Sequence, residues 1–276
     1  MEGGEVRMAV AGSDEAAGLA PGAGLVPVPQ VAGRLGLGDL GAALKAGARD
    51  FAAMPRFGLF FGGAYVLAGL IIGWASLAGG EPSWLIPAIA GFPLVAPFVA
   101  VGLYEASRRR ECGEPLVWRA VLGALKGHGD DQILSMGVIV FVAFAFWMII
   151  AHAIFAIFMG TSGMGASPAE AFGALLAPSG LAMLAVGGAV GGVLALAFYA
   201  MTVVSLPLLV DRKVDFLTAI ITSLKVVRTH PAVMLAWAVL IAAVLLAALL
   251  PAFLGLIIAL PVLGHATWHL YRRAVV

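Results

Sequence analysis

Residues 133–159, ILSMGVIVFVAFAFWMIIAHAIFAIFM, decide the fold, because they run for 27 positions without one Asp, Glu, Lys or Arg. A helix rises about 1.5 Å per residue and a bilayer's hydrocarbon core is about 30 Å thick, so about 20 apolar residues suffice to cross it. Working outward, five further stretches pass the same test: 57–78, 84–104, 180–206, 231–250 and 251–270. Between the apolar centres of the last two lies only LLPAFLGL, which reads as a tight hairpin. The whole chain agrees with this reading. Its 276 residues are 62% apolar and 11% charged, with a mean hydropathy of +1.04, which excludes a water-soluble globule. A net charge of +1 gives no field to gather nucleic acid. One cysteine, Cys112, closes no intramolecular disulfide and builds no cysteine metal cluster.

Positive charge supplies an independent count of the crossings, since cytoplasmic loops retain Lys and Arg. Arg7, Arg34, Lys45, Arg49 and Arg56 precede the first span, and Arg108, Arg109, Arg110, Arg119 and Lys126 lie between the second and third. Arg212, Lys213, Lys225 and Arg228 lie between the fourth and fifth, and Arg272 and Arg273 follow the sixth. The other loops, around 79–83 and 160–179, hold only Glu81 and Glu170. Six crossings put every basic residue on one side, with both termini in the cytoplasm of a bacterial inner membrane. Residues 1–38 read as a disordered cytoplasmic tail, because a Gly-, Ala- and Pro-rich opening without a continuous apolar run cannot offset its ordering entropy. Residues 39–276 form the membrane domain.

A repeat organises that domain. DLGAALKAGARDF, PLVWRAVLGALKG and DFLTAIITSLKVVR each precede a pair of spans, have helical periodicity and contain a Leu-Lys step, at Lys45, Lys126 and Lys225. Leu40, Leu44, Gly47 and Phe51 share one face of the first. Ile220, Ile221, Leu224 and Val227 oppose Thr218, Thr222, Lys225 and Arg228 in the third. The expected fold is all-α: a polytopic protein of six transmembrane helices as three hairpins, each preceded by an amphipathic helix lying in the headgroup layer.

The stretches FGLFFGGAYVLAGLII (57–72), LVAPFVAVGLYEASRRRECGEP (94–115) and VVSLPLLVDRKVDFLTAIITSLKVVRTHP (203–231) resemble a bacterial integral membrane family known as a domain of unknown function and common in proteobacteria. The resemblance spans Asp39 to Arg273, and Gly102–Arg109 is its most specific part. It implies a multi-span helical protein of the inner membrane and brings no catalytic residue with it.

Candidate contact residues are few. Arg108, Arg109 and Arg110, with Lys45, Lys126 and Lys225, are placed to meet anionic lipid or a partner. Glu105 stands at i+3 and i+4 from Arg108 and Arg109, which predicts a local ion pair. Gly58, Gly62, Gly69 and Gly73, and Gly187, Gly188, Gly191 and Gly192, form ridges that let another backbone approach closely. His152 reads as a buried imidazole bonded to a neighbouring helix. His265 and His269, one turn apart beside Trp268 and Tyr271, read as members of an interfacial aromatic belt. His265 and His269 have the i, i+4 spacing at which two imidazoles can share a metal ion, but two ligands make no site. With no catalytic set, zinc-type His-Glu-x-x-His or phosphate loop, neither enzyme activity nor a cofactor is expected. The partners expected are the bilayer and another membrane protein or a second copy, with no nucleic acid. The expected role is a scaffold, assembly factor or accessory subunit of a membrane complex. The alternative is a permease or channel for a small neutral or amphipathic solute, with its path near Pro87, Pro93 and Pro97 of the second span.

Overall fold

The computed structural model describes residues 29–78, 100–127, 131–160 and 173–276. Among these, the chain forms α1 (Leu37–Ala53), α2 (Pro55–Ala78), α3 (Val101–Glu111), α4 (Trp118–Gly123) with a 3₁₀ turn at Ala124–Lys126, and α5 (Gln132–Met159). It continues with α6 (Pro178–Thr202), α7 (Ser205–Asp211), α8 (Phe216–Thr229), α9 (Pro231–Leu249) and α10 (Leu256–Ala274). The described residues hold one isolated bridge, Val31 to Val275, and no named strand.

Four helices are long and apolar enough to cross a membrane: Pro55–Ala75, Gln132–Met159, Pro178–Asp211 and Pro231–Leu249. They coincide with four of the six expected spans. The second span, 84–104, lies outside the described residues apart from its last five, as do its three prolines and both acidic turns. The sixth differs. Its helix starts only at Leu256, and its second half carries His265, His269, Arg272 and Arg273, so it is not among the four. Before it the chain breaks in a turn where Ala252 and Phe253 adopt positive φ and Gly255 lies close to the Ala248 backbone.

Local chemistry explains the boundaries. Pro178 and Pro231 open α6 and α9, where a missing N–H costs nothing. Asp215 caps α8 by accepting from the Thr218 N–H at 2.8 Å, and the Thr218 hydroxyl, which donates to it at 2.6 Å, together with that N–H holds its carboxyl below the ordinary range. The α6–α7 rod breaks at Val203–Val204, three residues before Pro207. Hydroxyls mend the break: Ser223 of α8 donates to the Ala200 carbonyl at 2.7 Å and accepts from the Val204 N–H at 3.2 Å. Thr202 and Ser205 donate to the Phe198 and Met201 carbonyls.

Burial is concentrated at the charged end. Leu206, Leu208, Trp237, Ala266, Trp268 and Tyr271 pack there into one core around α10, against which α1, α2, α3, α7 and α9 all rest. The long helices instead expose apolar side chains such as Phe141, Ile149 and Val193, which only a lipid environment makes stable. α5 packs against α6 and α9 against α10. Of the expected tail, residues 29–38 are described. Ala32 donates to the Ala274 carbonyl at 2.9 Å, Val276 to the Gln30 carbonyl at 2.8 Å, and α1 already starts at Leu37.

Candidate functional site

Where α1, α3 and α10 meet, Asp50 sits almost completely buried in a polar cluster. The reason is steric. Gly47 brings α1 onto α10 so closely that an added Cβ would stand 2.5 Å from the Ala266 nitrogen and 2.7 Å from the Val262 carbonyl oxygen. One turn further along the same face, Asp50 enters the interface. Ser107 donates to its Oδ2 at 2.6 Å, His269 Nε2 lies 2.8 Å from the same oxygen, and Arg110 bonds Oδ1. Burial alone would raise the Asp50 carboxyl, but the hydrogen bonds from His269 and Ser107 and the charge of the imidazoles outweigh it and hold it below its ordinary value.

The ionised carboxylate fixes the remaining protons. Ser107 has one hydrogen and gives it to Asp50, so its Oγ accepts the Nδ1–H of His265, 2.7 Å away. His265 is fully buried, and its Nε2 has no hydrogen-bond partner among the described residues. Serine therefore stands between histidine and aspartate, with 1% of its surface exposed. In a nucleophilic triad the imidazole is the middle member and the serine is open to substrate. The arrangement here joins three helices.

The arginine run continues the network. Arg108 bonds Glu105 at 2.8 and 3.0 Å and Glu114 at 3.0 and 3.1 Å, which raises its guanidinium pKa and lowers that of Glu114. Arg109 bonds Glu105 at 2.6 Å and the Pro115 carbonyl at 3.0 Å. The local pair expected at Glu105 is present, and all three arginines are paired with acids of this chain, Arg110 from an exposed position. At the end of α10, Arg272 bonds Glu111 and Asp211, Tyr271 donates to Asp211 at 2.6 Å, Trp268 donates to Glu111 at 3.0 Å, and Arg273 bonds Asp39. Trp268 and Tyr271 are thus core residues, not the interfacial belt expected, and His265 is buried with them.

The other candidates separate cleanly. Lys45, Lys126 and Lys225 are exposed and have no acidic partner among the described residues. Gly58 is pressed against Phe51 and Pro261, Gly62 against the Ile257 backbone and Gly191 against the Trp147 ring. Gly69 is buried and Gly73 half-buried, and Gly187 touches Ile154 loosely. Gly188 and Gly192 face open space. Beside them, an apolar groove of about 400 Å³ runs between α6 and α9, lined by Gly192, Ala195, Leu196, Ala238, Val239 and Ala242. No group of three or more His, Cys, Asp or Glu able to hold a metal occurs among the described residues.

Residues 85–211 match the family model described as "Predicted integral membrane protein (DUF2189)". The chain is an integral membrane protein. The DUF2189 match covers α3 to α7 and includes Gly102–Arg109, but it is shorter than the 39–273 that the resemblance suggested. Ser107 and the arginine run fall inside it, while Asp50, His265 and His269 fall outside. No curated protein and no solved structure matches the chain.

The polar cluster is what the sequence reading missed. Its members are 57, 158 and 219 residues apart, beyond any spacing rule. One signal was local: Leu40, Ala43, Gly47 and Asp50 recur at helical spacing, which puts the acid on the apolar stripe.

Proposed function

We propose that this integral membrane protein is a non-enzymatic scaffold or accessory subunit that docks a transmembrane helix of another membrane protein. In this reading it crosses the inner membrane six times as three hairpins, each preceded by an interfacial helix, and keeps both termini in the cytoplasm. The observation that carries it is the contrast between two glycine sets. Gly58, Gly62 and Gly191 serve packing inside the molecule, whereas Gly188 and Gly192 face open space, and Gly192 borders an apolar groove where Ala195, Ala238 and Ala242 alternate with larger apolar side chains. Such a surface favours a second helix over lipid, because backbones gain dispersion contacts that mobile acyl chains do not match. The cluster's buried serine and centrally placed hydroxyl give no support to hydrolytic chemistry.

The test uses the full chain in its native membrane, with a photo-crosslinking residue at Gly188. One discrete adduct to another membrane protein, abolished by Gly192→Leu and retained in Gly63→Leu, is the expected result, because Gly63 also faces open space but lies on α2. Adducts to lipid alone would overturn the docking role. So would solute flux through liposomes of the pure protein, which would favour the permease. An adduct to a second copy would replace the partner.

A further inference from the structure

Sorting the cations by what they touch leaves a residue of charge with nothing to neutralise it. Arg108, Arg109, Arg110, Arg212, Arg272 and Arg273 are all in ion pairs. Arg34, Lys45, Arg49, Arg56 and Lys213 are exposed and in no ion pair among the described residues. The same holds for four cations that sit beside exposed apolar side chains, Arg119 and Lys126 on α4 and its 3₁₀ turn and Lys225 and Arg228 of α8. The faces that carry them are not ordinary polar surfaces. Trp118, Leu122 and Leu125 follow one another at i, i+4 and i+7 and are 37%, 44% and 41% exposed. Leu217, Ile221 and Leu224 repeat that spacing on α8 at 57%, 56% and 37% exposed, and Arg228 continues the stripe. The inward face of α8 is instead Ala219, Ile220, Thr222, Ser223 and Val226, so its most apolar edge points away from the protein.

Connectivity sets the depth of both faces. α9 begins at Pro231, directly after α8, and α5 begins at Gln132, five residues after the turn that ends α4. The Phe216 N–H donates to the Gln132 side chain at 2.9 Å, so the start of α8 is tied to the start of α5. Two partly exposed apolar stripes therefore lie beside the ends of two long apolar helices, each with cations at its edge, although Trp118 also packs its ring against Phe57 and Phe60.

We propose that α4 and α8 together bind anionic phospholipid headgroups, with Arg119, Lys126, Lys225 and Arg228 meeting the phosphates and the two apolar stripes entering the upper acyl region. Zwitterionic lipid supplies the same apolar contact but no net charge, so the four cations confer preference for anionic lipid. The arginine run, the obvious anchor in the sequence, takes no part because its charges are already used. This proposal rests on α5 and α9 crossing the membrane and is independent of the docking groove.

The experiment takes the full chain in neutral detergent and titrates it with short-chain phosphatidylglycerol or phosphatidylcholine, counting bound lipids by native mass spectrometry. Changing R119Q, K126Q, K225Q and R228Q together is expected to weaken phosphatidylglycerol binding about tenfold or more, as each surface cation contributes severalfold. Phosphatidylcholine binding stays unchanged, and K126R with K225R retains the wild-type preference. Equal loss for both lipids, or no loss for either, overturns the proposal, as does displacement of phosphatidylglycerol by millimolar inorganic phosphate. A second measurement covers misfolding of the fourfold variant. A dye on I221C in a C112S background is expected to be quenched by headgroup-labelled lipid in nanodiscs, and an unquenched dye overturns the placement of α8.

Discussion

α1 and α8 start from the same pattern and end in different surroundings. When their Leu-Lys steps are superposed, Leu40 corresponds to Ile220 and Ala43 to Ser223, and all four are buried. One turn later Gly47 corresponds to Val227 and Asp50 to His230, and the two helices diverge. The missing side chain at Gly47 lets α1 reach backbone contact with α10 and carries Asp50 into the protein. Val227 is half-buried against the core, and the Leu217–Ile221–Leu224 stripe is exposed. Both helices pack an inner face on the protein, but only α1 makes backbone-close contact, at its glycine, and carries an acid into the core.

The comparison breaks most sharply at Asp50. Asp50→Ala leaves two imidazoles and Arg110 around an empty space, and removing one partner of a buried charged network costs about 3–5 kcal/mol. Thermal unfolding in detergent is expected to show that loss, while Lys225→Ala changes stability by about 0.5 kcal/mol or less. Gly47→Leu is next. With α10 backbone atoms within 2.8 Å of the new Cβ, separation of α1 from α10 costs about 1–3 kcal/mol, measured in the same way. Asp215→Ala tests α8 by removing its cap for about 1 kcal/mol, without the loss of any helix-to-helix contact. The smallest effect belongs to Ile221→Gln, whose expected change in detergent stability is about 0.5 kcal/mol or less because the side chain faces outward.

Acid sharpens the same contrast. The folded pKa of Asp50 lies below its unfolded value of about 3.8, so its stabilisation is fully present above the unfolded value and is lost as pH falls through the folded one. Unfolding followed from pH 6 to pH 2 is expected to show, below about pH 4, a loss in the wild type that is flattened in Asp50→Asn. The loss above pH 4 from the buried His265, whose pKa is pushed down to about 4, is common to both. Equal acid sensitivity in both proteins would mean that the carboxylate does not hold α1 in place.

Much of this architecture was legible because membranes impose a local rule: each long apolar helix satisfies its own backbone, so its length and composition announce it in sequence. Pro178, Pro231 and Asp215 marked helix starts in the same local way. The last apolar segment misled because apolarity does not say what covers it. Its helix is wrapped by α1, α2, α3 and α9, so His265, Trp268 and Tyr271 face protein. The face of α8 was misjudged for a related reason. Thr222 and Ser223 look like solvent residues, but they turn inward, with Thr222 bonding its own helix and Ser223 the fractured end of α6. The cluster around Asp50 was beyond reach because it exists only after three distant segments have packed.

The repair at Val203–Val204 has one more implication. A single hydroxyl, borrowed from a neighbouring helix, bridges the Ala200 carbonyl and the Val204 amide, an i, i+4 pair that the break has parted. The bend of the long rod is consequently governed from outside the rod: any shift of α8 along its axis strips two main-chain groups of their companion at once, and alanine at that position would leave both wanting.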